Sequence, residues 1–315
     1  MKKKILLFGG AGFIVFHLAS KLSKNFKVDI LDNFSRGKND KYLKEIKNIS
    51  VKKTNNKLLE KINMTQYSHV FYLAAIVGVQ NVIQNPSKTL SNNILPLLKI
   101  IDLIKKSKKK TRLVFFSTSE VYSPAISKNK IKFPLREDSE IFLNEIATAR
   151  DSYYLSKIFG EQICHISNID YICLRPHNVY GPRMGYSHVV PEIIEKFKNR
   201  SLIDVFSPNH KRAFCYIDDA INQIERLSFK KNNKFTTYNI GNMSEEVSII
   251  NLIQKLKKIL NSNKRIVKAK NTKGSPVRRV PSMNRTLKET NYKNLFNLND
   301  GLKKTIKWYL KNDKK

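Results

Sequence analysis

The sequence predicts an α/β protein, a doubly wound parallel sheet carrying a smaller, mostly α second lobe. Three observations predict it. A short apolar run, Ile5-Leu6-Leu7-Phe8, stops at Gly9-Gly10-Ala11-Gly12 and leads into an amphipathic stretch with Phe13, Phe16, Leu18, Ala19 and Leu22 apolar. Further short apolar runs alternate with segments of helical period, the pattern of a parallel sheet covered on both faces. After Arg175-Pro176 the texture changes, and Pro176, Gly181, Pro182, Gly185 and Pro191 punctuate a loop-rich region. Residues 1–175 are therefore assigned to the sheet domain, with 213–245 returning to it, and 176–212 and 246–315 to the second lobe.

Strand, Gly-rich turn and helix together form the arrangement in which a helix N-terminus meets a pyrophosphate. The next strand, Val28-Asp29-Ile30-Leu31-Asp32-Asn33, brings Asp32 about twenty residues beyond the last glycine, where a carboxylate holds the ribose hydroxyls of NAD and disfavours a 2′-phosphate. Arg36 lies close by. A Rossmann-type domain with NAD as cofactor is thus expected. Strands follow at 49–52, 70–73, 112–116 and 171–174, with helical patterns over 90–104 and 153–166. Ligands of such sheets gather at the strand C-terminal ends. Gly9, Asp32, Ala74-Ala75 and Ser117-Thr118 fall at those ends and should face one crevice. Beyond residue 176, helices are expected over 189–198, 217–227, 248–260 and 301–310, with a strand near 236–240 rejoining the sheet.

With 315 residues the chain can bury a substantial core in one large domain or two smaller ones. Its formal net charge of +34 would by itself point to nucleic acid. The lysines, however, are spread along the chain among abundant Asn and Ile, as AT-rich coding produces, and no recognition motif accompanies them. The densest cluster, Lys105-Lys106-Ser107-Lys108-Lys109-Lys110, falls where a helix should end, which suits cations. Nucleic acid is not an expected partner. No apolar run approaches bilayer length, and the basic start reads as a strand rather than a signal peptide. Cys164, Cys173 and Cys215 are odd in number and lack metal-type spacing, so neither disulfides nor a metal is expected, and the setting is reducing and cytoplasmic.

The chemistry centres on Ala149-Arg150-Asp151-Ser152-Tyr153-Tyr154-Leu155-Ser156-Lys157. Positions i and i+4 share a helix face, so Tyr153 and Lys157 point the same way. A phenol, titrating near pH 10 in water, is a poor base at neutral pH, and a nearby ammonium favours the phenolate. Of the thirteen tyrosines, Tyr153 alone is followed four residues later by lysine.

These residues resemble the extended short-chain dehydrogenase/reductases that act on nucleotide sugars, over nearly the whole chain. Gly9-Gly10-Ala11-Gly12-Phe13-Ile14 matches the family's glycine loop, Leu31-Asp32-Asn33 its ribose acid and Leu73-Ala74-Ala75 the strand end beside the cofactor. Ser117-Thr118-Ser119-Glu120-Val121-Tyr122 looks like the active-site strand. Arg175-Pro176-His177-Asn178-Val179-Tyr180-Gly181-Pro182-Arg183 resembles the substrate loop. Arg212-Ala213-Phe214-Cys215-Tyr216-Ile217-Asp218-Asp219 and Pro276-Val277-Arg278-Arg279 look like two diphosphate-contacting arginine motifs.

The resemblance implies that Tyr153 takes the proton of the sugar C4 hydroxyl, that Lys157 tunes it and contacts ribose, and that Thr118 aligns the hydroxyl. Pro176 would lie at the cofactor; Ser119, Asn178, Arg183, Arg212 and Arg279 would bind substrate. The guanidinium fork suits a diphosphate, with Arg278 and Arg183 the weaker cases in so basic a chain. His177 and His188 fall near the substrate loop, where histidines are commonly bystanders. A homodimer built on the helices from Leu90 and Tyr153 is also implied.

Several positions depart from the family pattern. Val15 replaces the third glycine, Ser123 the glycine after Val121-Tyr122, and Pro96 another glycine; the acid after the third strand is not evident in Val51-Lys52-Lys53-Thr54-Asn55. A 4,6-dehydratase typically follows the threonine with Asp-Glu, but here the pair is Ser119-Glu120. The run Thr-Ser-Glu-Val-Tyr is similar to UDP-glucuronate decarboxylases, with Glu120 near C5. The Gly185-Tyr186-Ser187-His188-Val189-Val190-Pro191 stretch is shorter than the decarboxylase loop, has His188 where an Arg is expected, and ends like 4-epimerases. The expected activity is therefore a UDP-sugar 4-epimerase, with decarboxylation the alternative. A non-catalytic binding protein on an NAD fold, favoured by Val15, and a nucleic-acid-binding protein are readings that Thr118, Tyr153 and Lys157 oppose.

Overall fold

The computed structural model describes residues 3–9, 11–35, 37, 39–55, 59–143, 148–272 and 274–312; Gly10 and Arg36 lie outside the described residues. The chain divides into two compact units. The first comprises 1–121, 143–175 and 224–238, and the second 122–142, 176–223 and 239–315.

The first unit is organised by β1 (Lys4–Phe8), β2 (Lys27–Asp32), β3 (Ile49–Lys53), β4 (Tyr67–Tyr72), β5 (Arg112–Phe116) and β6 (Tyr171–Pro176). With the Thr237–Ile240 strand they form a seven-stranded sheet in which that strand is followed by β6, β5, β4, β1, β2 and β3. The pairs from β3 through to β6 are all parallel. Sequential order reverses between β1 and β4, the switch point beside which doubly wound sheets place their ligands. Ile5, Leu6, Leu7, Val70, Phe71 and Tyr72 are fully buried, as expected where both faces are covered.

Helix α1 (Phe13–Leu22) buries Val15, Leu18, Ala19 and Leu22. Val15, which replaces the third glycine, lies on the buried face of the helix. The Pro86–Lys106 helix ends in the lysine cluster, as the charge pattern predicts, and packs against the Asp151–Ile166 helix. Asp151–Ile166 also sits very close to β5: a Cβ on Gly160 would come within 2.3 Å of the Phe115 ring.

β5 ends at Phe116, as expected, but one expectation needs correction: within Ser117–Tyr122, which resembles an active-site strand, Ser119–Tyr122 forms a 3-10 turn. The Glu120 amide donates to Thr118 Oγ1 at 3.2 Å, a local side-chain bond that competes with continued extension. In the second unit, 122–142 is grouped with 176–223 and 239–315. There the Leu135 amide donates to the Val280 carbonyl at 2.8 Å and the Ser282 amide to the Leu135 carbonyl at 2.7 Å, pairings too distant in sequence to be read from it.

The second unit has more helix than strand, with three small sheets. Val179–Tyr180 pairs in parallel with Cys215–Tyr216, and Leu202–Val205 with Arg265–Lys268. Lys211–Ala213 lies between Glu246–Ser248, antiparallel, and Arg278–Arg279, parallel. Asn239 is a buried hub: its Oδ1 meets the Tyr122 hydroxyl at 3.0 Å and His177 Nε2 at 2.9 Å, and its Nδ2 donates to the Leu135 and Ser282 carbonyls. Among the described residues no helix is long and apolar enough to cross a membrane, and no three His, Cys, Asp or Glu side chains gather as a metal-binding group. The three cysteines are free and buried.

Candidate active site

Strand register sets the first part of the site. Phe8 is opposite Leu31 on one side and Tyr72 on the other, so Gly9, Asp32 and Leu73 line up at one edge of the sheet. The Gly9 amide donates to the Leu31 carbonyl at 2.8 Å, and the Leu73 and Ala74 amides to the Phe8 carbonyl at 2.8 and 3.0 Å. Gly9 has a positive φ of 76°, and a Cβ there would lie 2.0 Å from Ala74 Cα, so only glycine fits. A Cβ on Gly12 would meet no atom within 4 Å, leaving open ground ahead of the α1 N-terminus and beside half-buried Phe13 and Ile14.

Asp32 is buried and ties two backbone segments together. Its Oδ2 accepts from the Ala11 amide at 2.7 Å and its Oδ1 from the Phe34 amide at 2.5 Å. Each carboxylate oxygen keeps a further lone pair for a ribose hydroxyl. Asn33 is exposed and its Oδ1 accepts from the Ser35 amide at 3.0 Å. The following loop folds onto the glycine turn, since a Cβ on Gly37 would come 2.5 Å from the Ala11 Cβ. Open space before a helix N-terminus, a tight glycine turn and a carboxylate at the next strand end fit a dinucleotide.

The catalytic candidates lie further along the same sheet. Thr118 and Ser119 are buried and Glu120 is half-buried, just beyond β5. Ser117 Oγ is buried without a hydrogen-bond partner among the described residues, an unspent donor beside Thr118. Tyr153 is half-buried on the Asp151–Ile166 helix, whereas Lys157 is only 3% exposed. Lys157 Nζ donates to the Phe116 carbonyl at 2.7 Å and stands 5.1 Å from the Phe115 ring centroid. Burial pushes its pKa down from 10.5 to about 8, against the smaller opposing pull of Cys164 and Glu161. At neutral pH the ammonium still carries its proton.

Sequence reasoning missed Asn93. Its Nδ2 donates to Ser156 Oγ at 2.9 Å, Ser156 Oγ donates to the Tyr153 carbonyl at 2.7 Å, and its Oδ1 accepts from the Ile76 amide at 2.7 Å. One buried amide thus links the chain just past Ala74-Ala75 to the turn bearing Tyr153. The available signal was an Asn in register with Thr89, Pro96, Leu97 and Ile100 on a buried helix face.

In the second unit, Pro176 ends β6 and Asn178 follows with a φ of 41°, its Nδ2 donating to the Ala213 carbonyl at 3.0 Å. Arg279 sits opposite Arg212 on neighbouring parallel strands, and both are only 8% exposed. Arg212 spends much of its fork on its own surroundings, donating to Ser275 Oγ at 2.9 Å and the Pro276 carbonyl at 2.6 Å. Arg279 Nη2 reaches Ser123 Oγ at 3.4 Å. Arg278 is taken by Glu246 in a two-point ion pair at 2.7 and 2.8 Å and lies over the Phe133 ring, which accounts for its being a weak substrate candidate. Arg183 is half-buried with a φ of 66°. His177 is buried on Asn239, and His188 is exposed at the start of the Val189–Asn199 helix.

The buried ammonium gives a pH prediction with a definite sign. Lys157 binds its proton less tightly folded than unfolded, so its burial opposes folding fully below about pH 8 and ceases to do so near 10.5, a range on the order of 3 kcal/mol. Lys157→Met removes this pH dependence while orphaning the Phe116 carbonyl. Thermal melts should therefore show wild type gaining stability relative to the variant between pH 8 and 10.5. A difference that does not change with pH would mean that Lys157 is not desolvated in the folded protein.

Residues 5–241 match the model of the family described as the NAD dependent epimerase/dehydratase family. A UDP-N-acetyl-alpha-D-glucosaminuronate decarboxylase of Bacillus cytotoxicus is 30% identical, with 98% of each chain covered. A UDP-glucuronic acid decarboxylase 1 of Danio rerio is 28% identical, over 98% of this chain and 73% of that one. Among solved structures, UDP-glucose 4-epimerase from Thermotoga maritima, with UDP-glucose, is similar at 25% identity and a TM-score of 0.87, over 99% of this chain and 100% of that one. UDP-glucuronic acid 4-epimerase from Bacillus cereus, with UDP-glucuronic acid and NAD, is similar at 25% identity and a TM-score of 0.86, over 98% and 99% of the two chains. This chain is an enzyme that belongs to the NAD dependent epimerase/dehydratase family.

Proposed function

We propose that the enzyme binds NAD and a UDP-linked sugar, oxidises the sugar C4 hydroxyl to a ketone and reduces it again on the opposite face, as a 4-epimerase. The observation that carries this is the Lys157 ammonium, buried on the Phe116 carbonyl one helical turn from Tyr153. The charge favours the Tyr153 phenolate, which takes the C4 hydroxyl proton as the C4–H bond breaks. Bound NAD supplies the hydride acceptor and returns the hydride. Thr118 Oγ1 orients the hydroxyl, and Asn93 holds the turn from which Tyr153 acts. Gly9, Gly12, Phe13, Ile14, Asp32, Asn33, Leu73, Ala74, Ala75 and Pro176 hold the cofactor, with Lys157 on its ribose. Ser119, Asn178 and Arg183 contact the substrate, and Arg212 and Arg279 its diphosphate. Their pairing across neighbouring parallel strands places both guanidinium groups side by side, which supports that assignment.

Decarboxylation of a UDP-uronate is the second reading, favoured by the decarboxylase names of the curated relatives and by Glu120 beyond Thr118. A 4-ketone takes up, as an enolate, the electron pair left on C5 when the bond to the carboxylate breaks, so carbon dioxide can leave and Glu120, as an acid, can supply the proton that replaces it. Ser119 in place of an acid disfavours dehydration in either case. The buried, free cysteines fit a reducing cytoplasm.

Incubation with UDP-, GDP- and dTDP-sugars, read by mass and NMR, should give a product of unchanged mass inverted at C4; loss of carbon dioxide from a uronate would select the second reading. Tyr153→Phe should lower kcat about a hundredfold or more, because the base is lost. Wild-type turnover by that variant would sink both readings.

The enzyme is further proposed to be a homodimer. Leu95 and Leu98 on the Pro86–Lys106 helix, and Phe159 and Ile166 on Asp151–Ile166, are exposed at helical spacing on two helices that pack together. Sedimentation velocity should find a dimer, and a monomer after Leu95→Glu with Phe159→Glu. A monomeric wild type would refute the dimer.

A further inference from the structure

The Leu298–Asn312 helix grips the Tyr180–Tyr186 segment of the same unit at two places. Near its start, the Tyr180 hydroxyl donates to the Leu298 carbonyl at 3.2 Å. The phenol lies so close that a Cβ on Gly301 would come 2.1 Å from its oxygen. Toward its end, Tyr309 is 1% exposed and donates its hydroxyl to the Met184 carbonyl. The Tyr309 ring also meets Tyr186 edge-on, with centroids 5.5 Å apart.

Arg183 lies between the two grips, in left-handed backbone at a φ of 66°. A non-glycine residue keeps that conformation where its surroundings impose it. Upstream, Tyr180 is fixed both by Gly301 and by its strand pairing to Tyr216. Downstream, the next residue is Gly185, where an added Cβ would meet nothing within 4 Å. The Met184 carbonyl is therefore the anchor that follows Arg183 directly, and a buried phenol holds it.

We propose that Tyr309 is a positioning residue: through the Met184 carbonyl it holds Arg183 in the conformation that presents its guanidinium to the anionic nucleotide sugar. This rests on the nucleotide-sugar reading above. The C-terminal helix thereby belongs to the binding apparatus without touching substrate.

Tyr309→Phe deletes the hydroxyl and keeps the ring, and Tyr186→Leu removes the ring contact at an exposed position. Hydrogen exchange in the full-length enzyme should speed up about tenfold at the amides of 183–188 in Tyr309→Phe, and less in Tyr186→Leu, with the β1 and β4 amides unchanged. KM for the nucleotide sugar should rise about fivefold in Tyr309→Phe while kcat stays within about twofold, because binding rather than chemistry is weakened. Unchanged exchange in both variants would overturn the proposal, as would faster exchange with unchanged KM, which assigns Tyr309 to stability alone. If wild type turns over no nucleotide sugar, the functional reading fails, and the exchange result still decides whether Tyr309 holds the loop.

Discussion

The proposed chemistry of the first unit turns on one buried ammonium, that of Lys157. Lys157 is taken out of water and given one carbonyl, that of Phe116, together with the face of Phe115. Neither partner replaces full hydration, so the protein accepts a destabilised ammonium in the middle of the Asp151–Ile166 helix. The surroundings are built to make this possible. Gly160 lets the helix approach β5 closely enough for Nζ to reach the strand end, and the Glu161–Arg175 pair, at 2.6 Å, places a compensating carboxylate one turn away. In the proposed reaction a water-exposed lysine would be a poorer tuner, because a charge that water already screens does little to a neighbouring phenol.

The same economy appears wherever a side chain meets a polar backbone. Asp32 fastens the glycine turn and the loop after β2 while keeping lone pairs for a ligand. Asn93 couples the end of β4 to the Tyr153 turn. Arg212 fixes the 275–277 loop beside Arg279. Each group first orders the chain around a proposed ligand position, so the cost of ordering is met in folding rather than in binding.

What was legible in the sequence follows from what each residue requires locally. Gly9 was readable because a positive φ and a 2.0 Å approach to Ala74 admit no side chain, and Asp32 because its spacing from the glycines is set by one helix and one strand. The strands of the sheet were readable because burial on both faces leaves continuous apolar runs. The turn over Ser119–Tyr122 was hidden, because a side-chain bond from Thr118 overrides a β-like composition. The ladder pairing Arg212 with Arg279 was hidden too, since strands of two or three residues carry no period. Asn93 and Asn239 act through partners tens of residues away, and nothing in their immediate sequence marks them. Val15, at the position of a third glycine, is buried on the helix face it shares with Leu18, Ala19 and Leu22.

The central claim is that the hydrogen on the sugar C4 leaves and returns within one active site. The most direct measurement is turnover, in ordinary water, of a UDP-sugar carrying deuterium at C4. The account predicts that the product keeps the deuterium at C4, because a hydride held on bound NAD would not exchange with solvent. Loss of the label to water, or its retention with no dependence on Tyr153, would contradict it.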